Sequence, residues 1–264
     1  DGQTLYNVLN VQLVNDFLQW LKLNLWKKIP LENKEKFHQT CRAFYREKTL
    51  KRLKMFYDKT HLEDSWSNIN GVSVPPLSSL LEKIDWEALA EGIPSHFHGD
   101  LQFDNVLVTR DEKNNLPKFV LLDWRQDFGG NLEVGDLYYD LAKLYGGVTL
   151  SYQLIKKGEF SFDISGSSVY YNFFVSNDLL EAKEEYEAFL SKNNFDLKKI
   201  KIITALIFLN MSPLHHDPFD QMLYFMGKNM LNKALNLSAV APAPKREEKK
   251  VLVKNITSKQ HVRL

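Results

Sequence analysis

One polar segment in the middle of the chain decides the fold: residues 98–105 read HGDLQFDN, directly before the apolar run 106–109. A second apolar run, 119–122, follows after a polar linker, so the two runs are predicted to form a β-hairpin. The residue that enters the first strand of a hairpin and the residue that leaves the second lie at the same end. Asn105 and Asp123 are therefore predicted to lie close together.

This combination of side chains suits phosphoryl transfer. The reaction requires a carboxylate that orients the attacking hydroxyl and oxygen ligands for the Mg²⁺ that bridges the nucleotide phosphates. Asp100 fits the first role. Mg²⁺ prefers hard oxygen donors and keeps several waters, so the amide of Asn105 and the carboxylate of Asp123 are sufficient protein ligands. His98 is expected to brace the loop through hydrogen bonds, because Asp100 already occupies the place of the base.

Two further runs accompany residues 98–105 in a fixed order: 121–124, LLDW, and 135–142, GDLYYDLA. A chance match to His-Gly-Asp-x4-Asn in a chain of this length has a frequency of roughly one in a thousand. Together the three runs resemble the catalytic loop, the metal-binding run and the following helix start of the aminoglycoside phosphotransferase and choline kinase superfamily, relatives of the protein kinases.

The resemblance implies an α+β, mainly helical fold: a protein-kinase-like C-terminal lobe whose small antiparallel β-hairpin carries the active site. It implies Asp100 as catalytic base, Asn105 and Asp123 as magnesium ligands, and Asp140 as a supporting acid near its helix N-terminus. For Asp136 and Asp140, plain helix capping and direct contact with the catalytic loop both stay open. The implied cofactors are Mg²⁺ and ATP or GTP, and the implied partner is a small-molecule hydroxyl acceptor.

The pattern is incomplete in two respects. A full member has a small nucleotide lobe with a phosphate-covering loop and a strand lysine, and neither is recognisable here. We therefore expect this chain to be the C-terminal lobe only, Asp1 to be a truncation point, and the chain alone to be inactive. Arg125 follows Trp124 where many relatives carry a carboxylate, so both are possible substrate-binding residues, and Arg125 meets either an anionic substrate or a structural ion pair.

Helices are predicted on both sides of the hairpin from apolar residues three and four positions apart. The predicted helices cover residues 4–25, 30–58, 77–90, 136–152, 178–192, 197–209 and 218–235. The second of them is basic on its wet side, which indicates either a solvated face or a docking surface for an acidic partner or substrate. Residues 158–175 are predicted to be a loop with a strand-like stretch at 169–175.

Composition sets the remaining limits. A net charge of +1, with 34 Lys and Arg against 33 Asp and Glu, supplies no overall field for nucleic acid. The single cysteine, Cys41, excludes an intrachain disulfide framework and favours a cytoplasmic setting. No apolar run approaches the ~20 residues of a membrane span. Residues 1–236 are predicted to form one lobe, and residues 237–264 a flexible linker and tail. The sequence indicates no oligomeric state.

Two other classes remain open. A pseudokinase or binding module would keep the loop for structural reasons, although such a scaffold has no need of both metal ligands. A protein kinase is disfavoured, because the loop has His-Gly-Asp in place of His-Arg-Asp and the chain has no Ala-Pro-Glu segment. The acceptor itself, whether a sugar, an aminoglycoside or an amino alcohol, is not encoded by any residue pattern.

Overall fold

The computed structural model describes residues 2–111 and 116–236. The fold there is α+β and mainly helical, with three small sheets, as the sequence predicts. The predicted linker and tail, 237–264, and part of the predicted hairpin turn lie outside the described residues. Within the described part of the chain, no helix is both long and apolar enough to cross a membrane.

The first predicted helix, 4–25, is wrong in its first third. The chain starts with a short strand, β1 (Gln3–Thr4), and a 3₁₀ turn over Leu5–Val8, before helix α1 (Val11–Asn24) begins. The side chain of Asn10 caps this helix by accepting the N–H of Leu13 at 2.9 Å. The apolar period continues across the turn because Leu5 also packs in the core, so periodicity alone did not reveal the boundary.

The second predicted helix forms one continuous stretch with a local irregularity. It consists of α2 (Lys34–Arg42), a π-helical turn (Ala43–Glu47) and α3 (Lys48–Thr60). Cys41 is buried in it. A π turn rotates the helix faces relative to each other, and such turns are frequent at functional sites.

The segment after α3 contains more strand and less helix than predicted. Residues Ser67–Ile69 (β2) and Val72–Val74 (β3) form a hairpin. The predicted helix 77–90 is two short ones, α4 (Leu77–Leu81) and α5 (Trp86–Ala90). Asp85 starts the second one by accepting the N–H of Ala88 at 3.0 Å, and this cap competes with helix continuation.

The central hairpin is confirmed. Strands β5 (Val106–Arg110) and β6 (Pro117–Leu121) pair antiparallel, with Val106 opposite Leu121, and β1 extends this sheet on the β5 side. A second, two-stranded sheet joins β4 (Pro94–Ser95) to β7 (Gly135–Asp136). The loop with the HGDLQFDN segment runs between β4 and β5, so both sheets hold its ends.

The region 158–175 is a hairpin and not a loop. Helix α6 (Leu137–Gly147) and the short α7 (Tyr152–Lys156) replace the single predicted helix 136–152 and lead into β8 (Phe160–Ser165) and β9 (Ser168–Phe173). Strand β9 also pairs in parallel with β2. The predicted strand-like stretch 169–175 corresponds to β9, whereas β8 was predicted to be loop. The pairing of β9 with β2, about 100 residues away in the chain, leaves no local pattern in the sequence.

The three C-terminal helices are confirmed: α8 (Asn177–Lys192), α9 (Leu197–Met211) and α10 (Phe219–Asn236). Helix α9 is buried along most of its length and packs against α10, α6 and α3. An all-round apolar helix of this kind belongs at the centre of a core. It supports α6, whose first turn contacts the loop before β5.

Candidate functional site

The loop before β5 is held at its tightest point by Asp140. The carboxylate of Asp140, in the first turn of α6, accepts the backbone N–H of His98 at 2.8 Å and that of Gly99 at 2.7 Å. The indole N–H of Trp26 donates to the same carboxylate at 3.4 Å. Burial raises the pKa of Asp140 to about 6, although these three hydrogen bonds lower it. Of the two roles left open for Asp140, the structure shows contact with the loop.

Asp136 takes the other role. Its side chain caps α6 by accepting the N–H of Tyr138 at 3.0 Å. It also accepts the N–H of Ile93 at 2.8 Å and the hydroxyl of Tyr45 at 2.6 Å. Burial raises the pKa of this carboxyl, and the three donors partly offset that effect. Asp136 thus ties α6 to the long helix and to the strand that leads into the loop.

His98 connects the loop to the end of β6. Its Nδ1 accepts the backbone N–H of Asp100 at 3.2 Å, which requires the proton to lie on Nε2. Nε2 donates to the carbonyl of Leu122 at 2.8 Å. Burial lowers the pKa of the ring, in keeping with a neutral imidazole. Both ring nitrogens are therefore engaged in holding the backbone, and neither is free to accept a proton from a substrate.

The side chain of Asp100 is 40% exposed. The ammonium of Lys143 contacts one carboxylate oxygen at 2.5 Å. The side-chain amide of Asn105 donates to the backbone carbonyl of Asp100 at 2.9 Å and to its carboxylate at 3.3 Å. Gly99 permits this arrangement because its φ of +80° is unfavourable for residues with a Cβ.

Asp123 lies on the turn that follows β6, with an exposed side chain. Its φ of 54° is in the left-handed region, which non-glycine residues rarely occupy and which is concentrated at functional sites. The backbone on both sides is tied to the loop: Leu122 N–H donates to the carbonyl of Asn105 at 2.9 Å, and Arg125 N–H donates to that of His98 at 2.9 Å. The two ends of the hairpin therefore meet.

A cavity of about 440 Å³ opens beside this junction, a size suited to a small ligand. Asp100, Asn105 and Asp123 all line it, so the structure brings the three predicted residues to one opening. The rest of its wall comes from α3, α6, α7 and the end of α9, and Ile207 and Met211 supply an apolar part. A larger cavity, of about 680 Å³, lies beside β5 and α1 and contains none of the loop residues.

The donor set fits Mg²⁺ in its chemistry. The Nδ2 of Asn105 is directed at Asp100, which leaves its amide oxygen as the available donor, and Asp123 supplies a carboxylate. Two hard oxygen ligands are enough for a cation that keeps most of its waters and binds nucleotide phosphates. Across residues 2–111 and 116–236, no group of three or more His, Cys, Asp or Glu side chains is arranged to hold a metal ion.

The two possible substrate-binding residues differ in position. Trp124 is 52% exposed and lies outside the residues that line the cavity, with its indole N–H donating to the carbonyl of Leu121 at 3.2 Å. Arg125 does line the cavity. Its guanidinium lies 5.2 Å from the centre of the Phe44 ring, and its Nε donates to the carbonyl of Asp127 at 2.8 Å. It forms no ion pair within the described part of the chain.

Sequence reasoning missed Lys143, Lys48 and Arg52, all of which line the cavity. Lys143 follows Asp140 by three positions on α6, so the two side chains share a helix face, and this spacing was a usable signal. Lys48 and Arg52 belong to the basic face of the long helix. Its orientation toward the loop depends on packing between distant segments, which no local pattern records.

Comparison with known proteins identifies no relative, since no family model, no curated protein and no solved structure matches this chain.

Proposed function

We propose that the protein is a phosphotransferase that moves the γ-phosphate of ATP or GTP to a hydroxyl of a small molecule, in a kinase-like C-terminal lobe. Sugars, aminoglycosides and amino alcohols are the acceptor classes considered, and the cytoplasm is the proposed compartment. The observation that carries the proposal is the meeting of Asp100, Asn105 and Asp123 at one open cavity. The three side chains come from the loop before β5 and the turn after β6, which lie at the same end of the hairpin. Phosphoryl transfer requires a base and metal ligands at one place.

Asp100 is assigned the role of the base that accepts the proton of the reacting hydroxyl. The acceptor oxygen forms a bond to the γ-phosphorus while the bond from that phosphorus to the β–γ bridging oxygen breaks, and the hydroxyl proton passes to the Asp100 carboxylate. The products are a phosphate monoester and a nucleoside diphosphate. Lys143 contacts Oδ1 of this carboxylate at 2.5 Å, so Oδ2, which also accepts the amide of Asn105 at 3.3 Å, is the oxygen assigned to the hydroxyl. The exposed fraction of the side chain leaves room for that contact.

Asn105 and Asp123 are assigned to Mg²⁺. When bound, the cation neutralises charge on the nucleotide phosphates. Asn105 is also bonded to the proposed base, because its side-chain amide donates to both the carbonyl and the carboxylate of Asp100. His98 and Asp140 act as positioning residues, since they hold the loop backbone and do not face the cavity.

The test is nucleotide turnover by the full-length protein. Wild type, Asp100→Asn and Asp123→Asn are compared for Mg²⁺-dependent phosphate release and for transfer to small-molecule acceptors. Loss of a general base typically costs ~10²- to 10⁴-fold in rate, so Asp100→Asn is expected to lose at least ~10²-fold. Asp163→Asn is the matched control, because Asp163 is an exposed carboxylate on β8 outside the cavity.

Each alternative has its own outcome. Mg²⁺-dependent nucleotide binding without turnover in the wild type indicates a pseudokinase. Label transfer to proteins but not to small molecules indicates a protein kinase. Asp100→Asn that keeps most of the wild-type turnover overturns the assignment of the base.

A further inference from the structure

The cavity beside Asp100 has an unusual balance of charge. Five cationic side chains line it, against three acidic ones. The cations come from four separate parts of the chain: Lys48 and Arg52 on α3, Arg125 after β6, Lys143 on α6 and Lys156 on α7. The chain as a whole is nearly neutral, so this local excess does not follow from composition.

Four of these five cations form no ion pair among the described residues, although Asp127 and Asp104 act at longer range on Lys48 and Lys156. Only Lys143 forms an ion pair, with Asp100. The guanidinium of Arg52 donates a weak hydrogen bond to the sulfur of Met55, 4.0 Å away. Lys48 lies with its ammonium 4.1 Å from the centre of the Phe44 ring. A cavity lined by an excess of one sign of charge attracts ligands of the opposite sign.

The cations also affect one another. The pKa of Lys48 is lowered to about 7, first by burial and then by the neighbouring charges of Arg125, Arg52 and Lys143, with Asp127 acting in the opposite direction. Like charges that lie close together on half-buried side chains destabilise one another. A bound anion would relieve this repulsion, which supports the same conclusion as the geometry.

We propose that the acceptor is an anionic alcohol, one that carries a phosphate or a carboxylate, held by Lys48, Arg52 and Arg125 with its hydroxyl at Asp100. This inference rests on the proposed function, whose acceptor it narrows. Cationic acceptors, such as choline or an aminoglycoside, are disfavoured because the same side chains repel them. Arg125 suits an acid group well, since a planar guanidinium binds carboxylate or phosphate through two parallel hydrogen bonds.

Four probes with one pyranose ring test the charge requirement: glucose, glucosamine, glucuronate and glucose 6-phosphate. Their binding to the intact protein is measured by calorimetry without nucleotide, at low and high salt. We expect one or both acids to bind at least ~10-fold more tightly than glucose, and glucosamine to bind more weakly than glucose. The two acids distinguish carboxylate from phosphate recognition, and raised salt should weaken only their binding.

Variants locate the acid group. Arg52→Gln and Lys48→Gln are each expected to weaken binding of the preferred acid about tenfold, while Lys51→Gln is not. Lys51 is the matched control because it is an exposed cation beside Arg52 on the same helix and lies outside this cavity. Circular dichroism and thermal unfolding verify that each variant is folded.

Three results overturn the inference: equal binding of all four probes, no detectable binding of either acid, or acid binding that the α3 variants leave unchanged. A fourth is that Arg52→Gln and Lys48→Gln weaken nucleotide binding alone, which assigns the cations to the nucleotide phosphates. Failure of the proposed function is a separate observation, because it is measured as turnover in Asp100→Asn. Acid binding without nucleotide can succeed or fail independently of that result.

Discussion

Replacing Asp140 by asparagine removes a buried charge while keeping the shape of the side chain. The folded-state pKa of Asp140 is about 6, against an ordinary value of 3.8, because burial outweighs the three hydrogen bonds that the carboxylate accepts. At about 1.36 kcal/mol per pH unit, this difference corresponds to roughly 3 kcal/mol of folding free energy. The charged form is therefore less favourable in the folded protein than in the unfolded chain.

The sign of the pH dependence follows from the raised pKa. The stability that this group contributes is fully present below about pH 3.8 and is lost as the pH rises through about 6. Asparagine resembles the protonated acid, since both are neutral and have one carbonyl oxygen as acceptor. We therefore expect the stability of Asp140→Asn relative to wild type to rise by up to roughly 3 kcal/mol between pH 4 and pH 7.

Activity should change in the opposite direction. The carboxylate accepts N–H groups from both His98 and Gly99, whereas the asparagine amide presents one oxygen and one NH₂ group. One of the two backbone donors then faces another donor, and the loop that carries Asp100 is held less firmly. Small misplacements of reacting groups cost up to ~10²-fold in rate, so turnover is expected to fall by about tenfold or more.

Urea unfolding between pH 4 and pH 8 measures the stability of wild type and variant, and coupled phosphate release measures turnover. Asp85→Asn is the control, because Asp85 is an exposed helix cap and asparagine caps a helix equally well. A stability difference between variant and wild type that does not vary with pH, or that moves in favour of wild type as the pH rises from 4 to 7, refutes the reasoning about the buried charge.

Two further predictions concern the surroundings of the loop. Gly99→Ala should destabilise the protein by more than Gly71→Ala, as measured by urea unfolding: both glycines have φ near +80°, but a Cβ at Gly99 would lie 2.5 Å from the Cβ of Arg125, whereas space at Gly71 is open. Equal losses, near the ~1 kcal/mol that a left-handed conformation costs, would contradict the clash. Tyr45→Phe should cost roughly 1–3 kcal/mol at pH 7, because Asp136 loses a buried donor 2.6 Å away; an unchanged free energy of unfolding would contradict this.

Local patterns in the sequence predicted the parts of the fold that local forces determine. The apolar period of α8, α9 and α10 and the polar run of sequence between β5 and β6 were sufficient signals. Helix boundaries were lost where a capping residue, Asn10 or Asp85, interrupts a continuous apolar face. In both cases the capping residue was visible in the sequence, but the predicted helix boundary followed the apolar periodicity and not the single polar residue.

The candidate site shows the same division between local and distant contacts. Asp100 and Asn105 are five residues apart, and the hairpin brings Asp123 to them, so the motif was sufficient to place all three at one cavity. The cationic side chains that line the cavity were not predictable in this way. Lys48 and Lys143 lie about 95 residues apart in the chain, and they line one cavity because α9 packs against both α3 and α6.

The buried acid of α6 bears on whether the loop is more than a structural element. If Asp140 only filled space, asparagine or a protonated acid would serve folding better, because its charge is less favourable in the folded state than in the unfolded chain. A charge kept at a cost to stability is explained by what it holds, which here is the backbone of His98 and Gly99 directly before Asp100. Active sites are where proteins commonly give up stability for positioning. The stability and turnover of Asp140→Asn, measured together, therefore separate a scaffold from a catalytic loop.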